Sequence, residues 1–92
     1  MKNNIKTIER ILKALANRRR LDIIKYLKKE KEATVGDITE AIKLSFKSTS
    51  RHLAVLYSAD IVEKEQRSVE VWYRLSPECH SIAKYVSNSC LS

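Results

Sequence analysis

The sequence predicts a fold that is mostly α with a small β-hairpin, and three observations lead there. Its 92 residues suffice for one hydrophobic core and fall short of two ordinary domains. A single glycine and a single proline cannot furnish the turns of a many-stranded sandwich or barrel. The apolar period is helical as far as about Tyr57 and changes to strict alternation before Leu75.

Each element follows from local signals. Asn3 or Asn4 caps a first helix with Ile5, Ile8, Ile11, Leu12 and Leu15 on one face. Asn17 caps a second, striped by Leu21, Ile24 and Leu27 and widened by Ile23, which dissolves in the charged run Lys28-Lys29-Glu30-Lys31-Glu32. Thr34 and Asp37 have the spacing of a capping box and open a short third helix that buries Ile38, Ala41 and Ile42. Ser45 caps a fourth, from Phe46 to about Tyr57. Ile61 to Gln66 then pairs with a strand in which Val69, Val71, Tyr73 and Leu75 alternate with Glu70, Trp72 and Arg74, the turn falling near Arg67-Ser68. Ser76-Pro77 reads as N-cap and first residue of a fifth helix carrying Ile82, Ala83 and Val86 and running to about Cys90. The order is H-H-H-H-E-E-H. A short helix, tight turn, second helix and hairpin make the winged helix-turn-helix plan, expected as one domain over residues 1–92.

Composition narrows the function. One glycine, Gly36, excludes a glycine-rich phosphate loop. The longest apolar run, Leu53 to Tyr57, is far below a membrane span, so no membrane partner is expected. The Met1-Lys2-Asn3-Asn4 start has no apolar segment like that of a signal peptide. A cytoplasmic chain with its two cysteines as thiols is therefore expected. The two histidines fall in separate elements and no nucleophile or paired-carboxylate constellation can be assembled, so an enzyme is not expected. Eighteen Lys/Arg against 11 Asp/Glu give a net charge of +7, which points to nucleic acid. That charge is uneven: residues 1–31 hold 11 Lys/Arg and 3 Asp/Glu, the remainder 7 and 8.

The fourth helix carries the case for base reading. On a helical wheel Phe46, Thr49, Leu53 and Leu56 gather toward the core, while Lys47, Arg51, Ala54 and Ser58 lie opposite, flanked by Ser48 and Ser50. The outer face is cationic and small-polar, with no acid between Ser45 and Ser58. Such a face suits the major groove, where Lys or Arg reaches guanine O6 and N7 and serine hydroxyls serve bases or phosphates. Ser45, Lys47, Ser48, Ser50, Arg51 and His52 are the candidate reading residues. His52 points partly toward the core, which suits a packed, hydrogen-bonded ring better than a base reader. Arg18 and Arg19 are placed for phosphates, and Arg67 at the hairpin tip for a phosphate or the minor groove.

At these residues the chain resembles the ArsR/SmtB-type repressors. Leu15-Ala16-Asn17-Arg18-Arg19-Arg20-Leu21-Asp22-Ile23-Ile24 is similar to the family's Leu-Ala-Asp-Pro-Thr-Arg-Leu-x-Ile-Leu opening, in which Arg20 occupies a family position. Leu44-Ser45 and Ser50-Arg51-His52-Leu53-Ala54-Val55-Leu56 resemble its recognition helix, and Ile61-Val62 with Val71-Trp72-Tyr73-Arg74-Leu75 its wing. The match is collinear over residues 12–76. Asp60 stands where the family usually has Gly, the wing turn lacks its customary Gly, and Phe46 replaces a usual polar residue. The resemblance implies a homodimeric repressor whose first and last helices form the subunit interface and whose DNA is released by an inducer, often a metal ion. Two reading helices about one DNA turn apart would need an imperfect palindrome of double-stranded DNA.

Two sensor patterns come with the resemblance. The Cys-x-Cys on the third helix is absent from Val35-Gly36-Asp37-Ile38-Thr39. The pattern Asp-x-His-x10-His-x2-Glu on the last helix has only Pro77-x-Cys79-x10-Cys90, both histidines being cysteines. On one continuous helix these thiols would share a face about 16 Å apart, and would meet across an antiparallel pair of helices. Three readings stand: buried thiols that merely pack, an intersubunit redox switch, and a site for a soft metal such as Zn or Cu(I). No other cofactor is implied. The competing functions are a winged-helix protein–protein interaction module, against which the acid-free fourth helix speaks, and a nonspecific architectural DNA binder.

Overall fold

The computed structural model describes residues 4–91. Helix α1 (Ile5–Leu15) starts at Asn4, whose Oδ1 accepts the Thr7 amide at 2.8 Å; Asn3, the other candidate cap, lies outside the described residues. Helix α2 (Arg18–Glu30) starts at Asn17, which accepts the Arg20 amide. A two-residue strand β1 (Ala33–Thr34) leads into helix α3 (Val35–Ile42), where Thr34 Oγ1 and the Asp37 carboxylate satisfy each other's amides in a capping box. Helix α4 (Phe46–Ser58) is capped by Ser45, whose Oγ accepts the Ser48 amide. Each cap satisfies an amide that the first helical turn leaves without a partner.

Strands β2 (Val62–Arg67) and β3 (Glu70–Leu75) form the hairpin, in register from Val62 opposite Leu75 to Arg67 opposite Glu70. Strand β1 pairs with the other edge of β3, Ala33 opposite Tyr73, so the sheet order is β1-β3-β2. The sequence reading missed β1 because two consecutive buried residues show no alternation. The core lies between the helices and the base of the hairpin. Ile11, Ile23, Ile24, Leu27, Ile38, Leu53, Leu56, Ile61 and Val62 are all buried there.

The structure corrects four details. Ala41 is exposed, because the eight-residue α3 buries only a narrow stripe, Ile38 and Ile42. Phe46 faces outward: Leu44, in the preceding turn, already packs against the core at that end. Val69 is exposed in the two-residue turn rather than facing the core from the strand. The last helix does not begin at Ser76-Pro77. Ser76 instead closes a turn, its Oγ accepting the Glu78 amide and its carbonyl the Cys79 amide. Helix α5 (Ser81–Tyr85) starts only after His80, whose Nδ1 accepts the Ile82 amide, and it widens into a π-helical turn over Val86–Cys90.

Left-handed backbone falls on non-glycine residues: Lys31 (φ 77°) ends α2, Lys43 (57°) ends α3, Asp60 (58°) enters the wing and Ser68 (57°) turns it. Each carries the Cβ crowding that glycine escapes. Lys31→Gly combined with Asp60→Gly is expected to raise the unfolding free energy by about 1–2 kcal/mol. The check is a higher urea midpoint at unchanged slope; a lower midpoint would show that the two side chains contribute more than their backbone costs.

Candidate nucleic-acid interface

The two faces of α4 are sharply divided. Thr49, Leu53 and Leu56 are fully buried, and Thr49 also ties its hydroxyl to the Ser45 carbonyl at 2.9 Å. Outside lie Lys47, Arg51 and Ala54, exposed, with Ser48 and Ser50 half-buried at the margins. Ser45 is exposed, but its hydroxyl already accepts the Ser48 amide as the cap. The face therefore presents two cations among small side chains, with no carboxylate on the helix.

Helix α4 is held from behind by an arginine whose role the sequence reading left open. Arg20 donates from Nε to the Ala14 carbonyl at 2.7 Å and from Nη2 to the Lys13 carbonyl at 3.1 Å, satisfying the C-terminal end of α1. Its Nη1 approaches His52 Nδ1 at 3.3 Å. A guanidinium has only donors, so Nδ1 accepts and the ring is the neutral tautomer with its proton on Nε2. One side chain thus joins α1, α2 and α4. A second tie, which no sequence signal foretold, runs from Arg10 to the Ser58 carbonyl at 2.7 Å.

His52 is accordingly a packed, half-buried ring. Burial, then the charges of Arg20 and Arg19, hold its pKa below the usual 6.5. The unfolded chain therefore binds more protons below pH 6.5, and the fold loses stability as pH falls from there through the depressed folded value. His52→Asn, which keeps an acceptor near Nδ1 but cannot charge, is expected to flatten the decline in Tm between about pH 7.5 and 5.5. An unchanged slope would assign the decline to other groups.

The remaining candidates are not equivalent. Arg18 is exposed at the start of α2, whereas Arg19, also exposed, donates to the Ile42 carbonyl at 3.3 Å and so borders the turn before α4. Arg67 folds back from the wing. Its guanidinium makes a forked pair with Glu32 at 2.7 and 3.0 Å, meets Glu65 at 3.0 Å and lies 5.0 Å over the Trp72 ring. Hydrogen bonds from Arg67 hold both carboxyls below their ordinary range. The last residue of the charged run, Glu32, had carried no role in the sequence reading.

The cysteines do not form the array that a continuous helix would give. Cys79 sits in the turn before α5, half-buried against the core, and Cys90 is exposed in the π-helical turn. The three-turn spacing therefore does not apply. Burial pushes the Cys79 thiol up, away from the thiolate that metals and oxidants need. Among the described residues no group of three or more His, Cys, Asp or Glu is gathered to hold a metal ion.

Comparison with known proteins agrees with this architecture. The model of the family described as bacterial regulatory protein, arsR family, matches residues 17–64, from the cap of α2 into β2. The chain belongs to the arsR family of bacterial regulatory proteins. It is 37% identical over 75 residues to the transcriptional activator HlyU of Vibrio cholerae, 82% of this chain and 68% of that protein. It is 31% identical over 74 residues to the arsenical resistance operon repressor of Bacillus subtilis, 80% of this chain and 70% of that protein. The structure of HlyU from Vibrio cholerae superposes with a TM-score of 0.77 at 32% identity, covering 94% of each chain. The homodimeric winged helix-turn-helix DNA-binding domain Mb0332 of Mycobacterium bovis gives 0.77 at 31%, over 87% of this chain and 71% of that one. The fold is thus a winged helix-turn-helix, and this arsR-family chain is a transcription regulator, not an enzyme. No helix among the described residues is long and apolar enough to cross a membrane.

Proposed function

We propose that the chain is a homodimeric, sequence-specific DNA-binding repressor that reads an imperfect palindrome through α4. The observation that carries this reading is the division of that helix: a fully buried Thr49–Leu53–Leu56 face behind an acid-free surface with Lys47 and Arg51 exposed. Lys47 and Arg51 reach guanine edges, Ser48 and Ser50 serve bases or phosphates, and His52 positions the helix through Arg20. Arg18 and Arg19 hold phosphates, and the lopsided charge of residues 1–31 sets attraction and salt dependence.

A second copy of the chain covers α1. Ile5 and Leu12 are exposed there and Ile8 half-exposed, on a ridge beside α5, which exposes Tyr85. The homodimeric Mycobacterium bovis relative supports this assignment. Selection of duplexes from a random pool tests the whole reading. The expected product is two inverted half-sites with centres about 10 base pairs apart, which lower transcription when placed over a reporter promoter. No enrichment over random DNA would leave an architectural binder, and higher transcription would make the chain an activator.

The wing contributes Arg67, which exchanges Glu32 and Glu65 for a phosphate. Exposed pairs of this kind contribute about 0.2–1 kcal/mol. Glu32→Gln is therefore expected to tighten binding to the selected duplex by about threefold, with a steeper salt dependence. Weaker binding would mean that Glu32 orders the wing for DNA rather than competing with it. Cys79 and Cys90 are assigned no sensing role. The raised pKa and core packing of Cys79 support plain packing.

A further inference from the structure

Phe46 is the first residue of α4 and is 62% exposed. Leu44, two residues earlier, is the side chain that packs against the core there. A bare aromatic ring therefore stands at the N-terminus of the helix that carries Lys47 and Arg51, exposed because it precedes the buried Thr49–Leu53–Leu56 stretch. In a helix-turn-helix the N-terminal residues of the reading helix are the ones that meet base edges. A phenyl ring can neither donate nor accept a hydrogen bond to a base. The apolar group that the major groove offers it is the 5-methyl of thymine.

We propose that Phe46 is a specificity-determining residue that packs on one thymine methyl in each half-site. This rests on the DNA-binding reading above. The chemistry has a consequence for sequence preference: Lys47 and Arg51 favour guanine, whereas Phe46 demands a thymine beside it. The site is thereby read through both a polar and an apolar contact.

The test uses the full chain and a duplex selected by it, with each thymine replaced in turn by deoxyuridine, which lacks only the methyl. Removing one buried methyl is expected to weaken binding about fourfold at one thymine per half-site, with little effect elsewhere. In Phe46→Ala the same replacement should have no effect, and the thymine duplex should bind about as weakly as the parent binds a duplex carrying deoxyuridine at that position in both half-sites. Because Phe46 is exposed, the variant should keep the parent Tm; Phe46→Leu, which keeps an apolar side chain, should retain part of the discrimination. A selected duplex insensitive to every thymine replacement, or an undiminished methyl effect in Phe46→Ala, would overturn the proposal while leaving DNA binding intact. A change in self-association of Phe46→Ala with methyl discrimination preserved would place the ring in a protein contact and also overturn it. If no duplex is selected, the DNA-binding reading itself fails, and this one with it.

Discussion

Arg51→Ala is expected to weaken binding to the selected duplex by about 1–3 kcal/mol, roughly 5- to 150-fold, while scarcely changing affinity for random DNA. Arg51 is exposed one turn into α4, free to fork onto a guanine, and the fully buried Leu53 keeps the helix in place when the guanidinium is removed. The variant should therefore fold normally and lose preference at one base pair per half-site. Single-base variants of the duplex provide the readout. The contrast is Arg18→Ala/Arg19→Ala, in which affinity for all DNA should fall alike and the dependence on salt should become shallower. Equal loss on selected and random duplexes in Arg51→Ala would reassign Arg51 to the phosphates.

Leu12→Lys should have a comparable effect by another route. Leu12 is 49% exposed on α1, so a lysine there costs the isolated subunit little. In a dimer the substitution places two cations in an apolar contact, where each would need a partner or water. Sedimentation should show a monomer at micromolar concentration. Affinity for the palindrome should drop by about a hundredfold or more, since the second half-site no longer gains from the high effective concentration that the first provides. Binding to an isolated half-site should be unchanged. A dimer that persists would move the subunit contact away from α1.

Much of the fold was legible because its signals are local. Asn4, Asn17, Thr34 with Asp37 and Ser45 each act within three residues in sequence, and the alternation in β3 follows from the pleat. The start of α5 was misplaced because Ser76-Pro77 satisfies a cap rule and a turn rule equally. His80, which caps the helix, is an unusual residue for that work. Phe46 was misplaced for a different reason. A wheel gives the direction of a side chain but not whether any of the core extends as far as that end of the helix, where Leu44 packs and Phe46 does not.

The candidate site divides along the same line. Lys47 and Arg51 follow from spacing on one helix, and the resemblance located them within a family. Arg20 reaches carbonyls 6 and 7 residues back and His52 32 residues on, and the forked partner of Arg67, Glu32, lies 35 residues away, so no pattern along the chain announces them. Cys79 shows the opposite hazard: a regular spacing to Cys90 has meaning only if one continuous helix joins them, and the turn at Ser76 breaks it.

The Arg20 junction has a mechanical consequence. By fastening the last carbonyls of α1 to His52, it makes the ridge that a second subunit would cover and the helix that would enter the groove parts of one stiff lever. In a two-fold assembly the separation of the two reading helices is then fixed by how the α1 ridges seat on each other. A small tilt at that seat would be magnified at the far ends of the lever and throw both helices out of step with the helical repeat of DNA. Such a regulator could release its operator without any change in the residues that touch it.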